Sequence, residues 1–185
     1  MARVSQAQAQ ENRERVVRTA ARLFREHGVQ GVSVADLMGA AGLTHGGFYK
    51  QFASKEALVA EAAGRAFTEH GSRLAGLAER HAGDHDAARH ELLDRYLSAE
   101  HRDDAGTGCP ATGFGPDMAR EDPASPAREA YACGIEEFAR WMAGRDGEED
   151  LAAVATMVGA LLLARATAGT PVSDRVLAAA RDALG

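Results

Sequence analysis

The chain has 185 residues, 45% of them hydrophobic and 26% charged, with a formal net charge of −6. Those proportions exclude a disordered or low-complexity polymer. The lack of any uninterrupted apolar run of about 18 residues excludes a membrane-spanning helix, and two cysteines, Cys109 and Cys133, are too few for a disulfide framework. Alanine is abundant and β-branched runs are scarce, so the expected fold class is all-α.

The charge is unevenly spread. Residues 1–55 hold eight basic side chains (Arg3, Arg13, Arg15, Arg18, Arg22, Arg25, Lys50 and Lys55) against four acidic ones, a net of +4. The remainder holds 13 basic and 23 acidic, a net of −10. A basic head on an acidic body fits a head that meets a polyanion, although arginines on a surface helix are also simply solvated. The opening MARVSQAQAQENRER is polar with no apolar leader core, so the expected location is cytoplasmic.

In chain order, residues 11–27 are apolar at Val16, Ala20, Leu23 and Phe24, one face of a helix that Gly28 ends. Ser33 opens a second helix with Asp36 three residues on, a near relative of the capping box, and Val34, Leu37 and Met38 point inward. Gly42 stops it. Thr44 is expected to cap a third helix and Ser54 a fourth, so residues 33–52 outline a helix-turn-helix. A long helix follows to about His81, with Phe67, Leu74 and Leu77 on its buried stripe. Residues 86–102 are helical again, with Leu92, Leu93, Tyr96 and Leu97 apolar.

The segment after 102 is rich in Gly and Pro, with a short helix near Ala111 to Arg120. Pro126 sits in the first turn of the next helix, which runs through Tyr131, Ile135, Phe138 and Trp141 to Met142. GRDGEED separates it from residues 149–168, apolar almost all round and therefore buried on more than one side. A closing helix spans Ser173 to Leu184. The expectation is about nine helices, no strand and no repeat.

The stretch GLTHGGFYKQFASKE holds the chemistry. Gly46 and Gly47 stand where a short helix begins, at a cost of about 1 kcal/mol each relative to Ala. Phe48 and Phe52 lie four apart and read as core, which turns Tyr49 outward. The chain's two lysines, Lys50 and Lys55, both lie here. A helix entering the major groove by its N-terminal end needs small residues there, and its free backbone N–H groups suit a phosphate.

From Ser33 to Leu58 the sequence resembles the DNA-binding head of the TetR family of transcriptional regulators, with Tyr49, Phe52, Lys55, Glu56, Ala57 and Leu58 in register. The likeness is specific over residues 12–70. CPATGFGPDMA and VGALLLARATAG resemble later segments of one TetR-like subgroup. The resemblance implies a DNA-binding domain at 1–55 and a ligand-binding and dimerisation domain at 56–185. It implies DNA contacts at Ser33, Thr44, His45, Gly46, Gly47, Tyr49, Lys50, Gln51 and Lys55, with Tyr49 and Lys55 on phosphates. Gln51 can also read adenine. Many relatives have Thr or Ser where this chain has Gly46-Gly47, so fewer side chains are left to read bases.

For the body, the resemblance implies a small-molecule cavity and a homodimer. The expected function is a ligand-responsive, sequence-specific regulator, a homodimeric repressor released from a pseudo-palindromic operator by a small molecule, with no catalysis, cofactor, metal or membrane partner. Candidate pocket residues are Phe67, Leu74, Tyr96, Cys109, Phe114, Met118, Phe138, Trp141 and Met142, each of which also fits a plain core. The dimer is expected to pair residues 125–143 and 149–168 through Val154, Val158, Gly159, Leu161 and Leu162, and the Gly/Pro-rich segment 106–117 to be the moving part. Cys109 reads either as a small buried residue or as a thiol open to electrophiles, and Cys133 as core. His81 and His85 have a metal-compatible spacing, but the intervening AGD breaks the helix and no further ligand completes a set. A Cys–His enzyme lacks any supporting motif, and a helical adaptor would need no glycine-started recognition helix.

Overall fold

The computed structural model describes residues 6–144 and 147–185. Arg3, counted in the basic head, and Arg145 and Asp146 of the GRDGEED separator lie outside the described residues. Among those described, the chain forms nine α-helices and one 3-10 helix, with no strand. No helix is long and apolar enough to cross a membrane.

Helix α1, Gln6–His27, begins five residues before the expected segment 11–27. The QAQAQ run consists of good helix formers, and Gln10 bonds Glu14 one turn on at 3.0 Å. Its inner face is Val16, Val17, Ala20, Ala21 and Phe24. Gly28 at φ +73° then turns the chain. In α2, Val34–Ala40, the Ser33 hydroxyl accepts from the Asp36 N–H at 3.1 Å and donates to the Asp36 carboxylate at 2.6 Å. Asp is too short to reach back to the Ser33 backbone, so it closes on the hydroxyl instead.

Two local expectations fail in the next segment. His45–Lys50 is a 3-10 helix, not an α-helix, and Thr44 holds the cap position without a side-chain hydrogen bond. Only six residues separate the turn from the point where Phe52 must rejoin the core, and paired glycines favour no regular α-turn. The backbone closes the turn itself, Gly47 N–H donating to Thr44 O at 2.9 Å.

Ser54 caps α3, Lys55–Arg80, accepting from the Ala57 N–H at 3.2 Å. This helix joins the two halves of the molecule. Leu58, Val59, Ala62, Ala63 and Ala66 complete the head's core, and Phe67, Leu74 and Leu77 enter the body's. The single helix expected over 86–102 is two, α4 His85–Tyr96 and α5 Ala99–Asp103. Ser98 makes the break: its hydroxyl donates to Arg95 O at 2.9 Å and accepts from the His101 N–H at 3.2 Å, bonds that compete with a continuous helix.

Helix α6, Pro110–Met118, wedges between head and body. Its Phe114 meets Phe24 edge-on at 6.5 Å, and Phe114 and Met118 belong to the head's core. Gly113 permits the approach, because a Cβ there would lie 2.6 Å from Arg25 Cγ. Helix α7, Pro126–Ala143, crosses α3 where the Phe67 ring occupies the space a Gly134 side chain would take. Cys133 is exposed, not core. The buried positions of α7 include Ala127, Gly134, Phe138 and Met142, and Cys133 stands about 100° round the helix from Gly134. Helices α8, Leu151–Ala166, and α9, Pro171–Leu184, pack on each other and close the body.

Candidate nucleic-acid interface and body cleft

The 3-10 helix presents a ridge. Phe48 is fully buried, Phe52 nearly so, and their ring centroids are 5.4 Å apart, which fixes the segment against the head. Tyr49 is then forced outward, 66% exposed, with the His45 ring edge-on at 6.4 Å. Thr44, His45, Gly46 and Lys50 are also exposed. Neither tip glycine has a positive φ, no atom lies within 4 Å of a Cβ built on Gly46, and Gly47 has only ordinary contacts with Met38 Cε at 3.6 Å and Thr44 Oγ1 at 3.8 Å. The fold would therefore accept alanine at both. The missing side chains serve no contact inside the chain.

Three expected contacts sit differently. Gln51 is half-buried, with its Oε1 covered and unpartnered, in a depression beside Gln6, Gln10 and Arg13 of α1 rather than on the ridge. Lys55 donates to Val29 O at 2.6 Å and lies 6.0 Å from the Phe24 ring centroid, so its ammonium buttresses the α1–α2 connection. Ser33 is engaged in its own cap.

The body contains a cleft of about 830 Å³ among α3, α4, α5 and the segment leading into α6, within the size range of small-molecule sites. Of the expected lining residues it holds Leu74, Tyr96 and Cys109. Of the other six, five are core and Trp141 is half-buried against it. Phe67 packs on Tyr131 at 5.5 Å, Phe114 and Met118 fill the head–body junction, Phe138 lies under His70 at 4.6 Å, Trp141 meets His85 at 5.2 Å, and Met142 is buried. The lining that sequence reading missed is mostly polar, with His70, Arg73, His101, Asp104 and Thr107 beside apolar Leu77 and Leu92. The available signal was the spacing 70, 73, 74, 77, one face of α3.

The segment 104–109 is tied down rather than loose. Three of its carbonyls, those of Asp104, Thr107 and Gly108, are satisfied by arginines. Arg25 donates to Gly108 O at 3.2 Å, Arg73 to Thr107 O at 2.6 Å, and Arg165 to Asp104 O at 3.3 Å. Cys109, buried at the start of α6, donates its N–H to His101 Nε2 at 3.0 Å. At the other end of α6 the Asp117 carboxylate accepts from the Val29 N–H at 3.0 Å. Burial, then the field of Cys109, raises the Tyr96 phenol well above its usual range, and its oxygen lies 3.3 Å from Thr112 Oγ1. Burial raises Tyr131 to about 12, and its hydroxyl donates to Ala111 O at 2.8 Å.

His81 and His85 do not share a site. His81 bonds Glu91 at 2.6 Å, whereas His85 faces Trp141. No group of three His, Cys, Asp or Glu able to hold a metal occurs among the described residues.

Residues 16–62 match the sequence profile of the family described as bacterial regulatory proteins, tetR family. The head of the chain is thus similar to the TetR family over those residues. The HTH-type transcriptional regulator AcrR of Shigella flexneri is 39% identical over 61 residues, 33% of this chain and 28% of that protein. The match to that TetR-type relative thus spans little more than a quarter of its length. The whole fold agrees with solved TetR-type structures. A TetR-family regulator from Agrobacterium tumefaciens gives a TM-score of 0.75 at 16% identity, covering 95% of this chain and 98% of its own. The reduced form of E. coli NemR gives 0.71 at 20%, covering 94% and 95%.

Proposed function

We propose that the protein is a homodimeric, sequence-specific DNA-binding regulator whose body cleft binds a small molecule and thereby releases the operator, which makes it a repressor. One observation carries the DNA reading: the exposed ridge of Thr44, His45, Gly46, Tyr49 and Lys50, held on the buried Phe48–Phe52 pair and bare at two positions where the fold would accept side chains. A bare tip lets the backbone approach the groove. Tyr49 and Lys50 are free to reach phosphates, and His45 is left as the main reader of base edges.

The dimer face follows α8 and α9 rather than α7 and α8. The outer face of α7 carries exposed Glu136, Glu137 and Arg140, whereas the exposed large apolar residues lie at Leu151, Leu162 and Leu163 on α8 and Val172 on α9. Gly159 opens onto empty space on that face. Of the residues expected to pair, Val154 and Leu161 are core. Such a face repeated by two-fold symmetry buries its apolar area and sets two ridges on one duplex.

The route from cleft to DNA is α6. Thr107 and Cys109 line the cleft, the carbonyl of Gly108 between them is held by Arg25 of α1, and Asp117 holds the end of the same helix. A ligand that displaces this wall moves α1 with it and changes the separation of the two heads. A second reading rests on Cys109 itself, a thiol in the cleft wall that an incoming electrophile would meet. An unchanged response to electrophiles in Cys109→Ser removes it.

Selection of bound duplexes from a random pool tests the main reading. Enrichment of a motif with two related half-sites is expected. Failure to enrich any motif overturns it.

A further inference from the structure

Three arginines, Arg73 in the cleft lining and Arg25 and Arg165 outside it, donate to neutral carbonyl oxygens of the segment 101–108 that borders the cleft. Arg25 reaches Gly108 O, Arg73 reaches Thr107 O, and Arg165 reaches His101 O at 3.0 Å as well as Asp104 O. Among the described residues none of the three has an ion pair. The other charges round the cleft are engaged or outlying. The Asp104 carboxylate takes the N–H and hydroxyl of Thr107, Asp94 lies 3.6 Å from Arg181, Arg80 and Arg95 both contact Glu91, and Glu100 is exposed on the rim. The three arginines therefore outnumber the carboxylates that face them, those of Asp104 and Glu69.

His70 stands in that field. It is 7% exposed, lines the cleft, and its Nε2 has no hydrogen-bond partner. The groups facing it are Arg73 on its own helix, Arg25 from α1, His101 from α5 and the Phe138 ring from α7. Burial first, and then the charges of Arg73, His101 and Arg25, hold its pKa near 4. A buried polar atom left unpaired is costly unless something supplies the missing bond. Beyond His70 and Arg73 the same face of α3 continues as Leu74 and Leu77, with Leu92 opposite on α4. The cleft is thus cationic at one end and apolar along its length.

We propose that this cleft binds the carboxylate of a small organic acid. The acid group accepts from His70 Nε2–H and from the free N–H groups of Arg73, and the apolar body lies on Leu74, Leu77 and Leu92. A carboxylate matches the guanidinium fork and adds negative charge where the cations outnumber the carboxylates. Because Arg73 also bonds Thr107 O, the acid competes for the donor that pins the segment joined to the head through Gly108. This rests on the reading of the cleft as the effector site.

The test is isothermal titration of the full chain without DNA. Octanoate, phenylacetate and naphthoate are each compared with their primary amides and with phenyl phosphate. At least one acid is expected to bind, with its amide weaker by about tenfold or more, the worth of one charge-assisted hydrogen bond. Arg73→Gln, at an exposed position, should weaken the acid by about tenfold and the amide by less, because only the acid loses a charge-assisted bond. Equal affinity for acid and amide, no effect of Arg73→Gln, binding by no acid, or tighter binding of phenyl phosphate would each overturn the proposal. Since DNA is absent, these outcomes do not depend on whether the head binds an operator.

Discussion

Arg25, on a helix of the head, donates to the carbonyl of Gly108, a residue of the body 83 positions away in sequence, at 3.2 Å. It is only 7% exposed, and burial lowers its pKa, yet no carboxylate pairs with it among the described residues. A buried cation held by one carbonyl adds little net stability, because its desolvation offsets the bond.

Arg25→Gln should lower stability by about 1–3 kcal/mol, the cost of leaving a buried acceptor unmet. DNA binding should persist while its sensitivity to the effector falls. Thermal unfolding and operator binding with and without effector check both.

Asp117 ties the other end of α6 to the head. Asp117→Ala strips the Val29 N–H of its partner and should cost about 1–3 kcal/mol, whereas Asp117→Asn keeps an acceptor and should cost less. Chemical denaturation of the two variants tests the difference.

The tip glycines and Gly134 should respond in opposite directions. Gly46→Ala meets nothing in the folded chain and should raise stability by about 0.5 kcal/mol while weakening DNA binding by on the order of tenfold. Gly134→Ala drives a methyl into the Phe67 ring and should cost about 1–3 kcal/mol. Melting curves and duplex titrations distinguish the two.

His70 makes stability depend on pH. Its pKa falls from the ordinary 6.5 to about 4 in the folded chain, so on acidification the unfolded chain takes up the proton first. This contribution is full above about pH 6.5 and is lost as the pH falls from there to about 4, by roughly 3 kcal/mol. His70→Gln should flatten that window in a stability profile.

Leu162→Glu, at an exposed apolar position of α8, should weaken the dimer by about 2 kcal/mol, roughly thirtyfold in Kd, and leave the helical content unchanged. Sedimentation equilibrium reads the first and circular dichroism the second.

Much of the head was legible in the sequence because local rules act there. Ser33 and Ser54 declare two helix starts, and the spacing of Phe48 and Phe52 settles which way Tyr49 faces. The 3-10 geometry of His45–Lys50 was not legible, since it depends on how soon Phe52 must return to the core. Six of the nine residues expected round the cleft lie away from it for a physical reason. Phe138 and Met142 are the kind of side chain that lines a pocket, but the same apolarity sends them into the core between α3 and α7. His70 and Arg73 look on a long helix like any solvated polar pair, and only the tertiary position of α5 and the 104–109 segment turns them inward. Leu162 is exposed, whereas Val154 and Leu161, expected beside it at the dimer face, turn into the body's core, a difference that an all-round apolar helix hides until α9 is in place.

The most direct measurement is the affinity of the full chain for a selected duplex as a function of salt, by fluorescence anisotropy, beside Tyr49→Ala. The account predicts that the logarithm of the binding constant falls linearly with that of salt, with a slope of about −0.9 per phosphate contact. Tyr49→Ala should weaken binding without unfolding the head, because its side chain lies outside the core. A salt-independent interaction, or full affinity after loss of Tyr49, would contradict the assignment of the His45–Lys50 ridge as the DNA-binding surface.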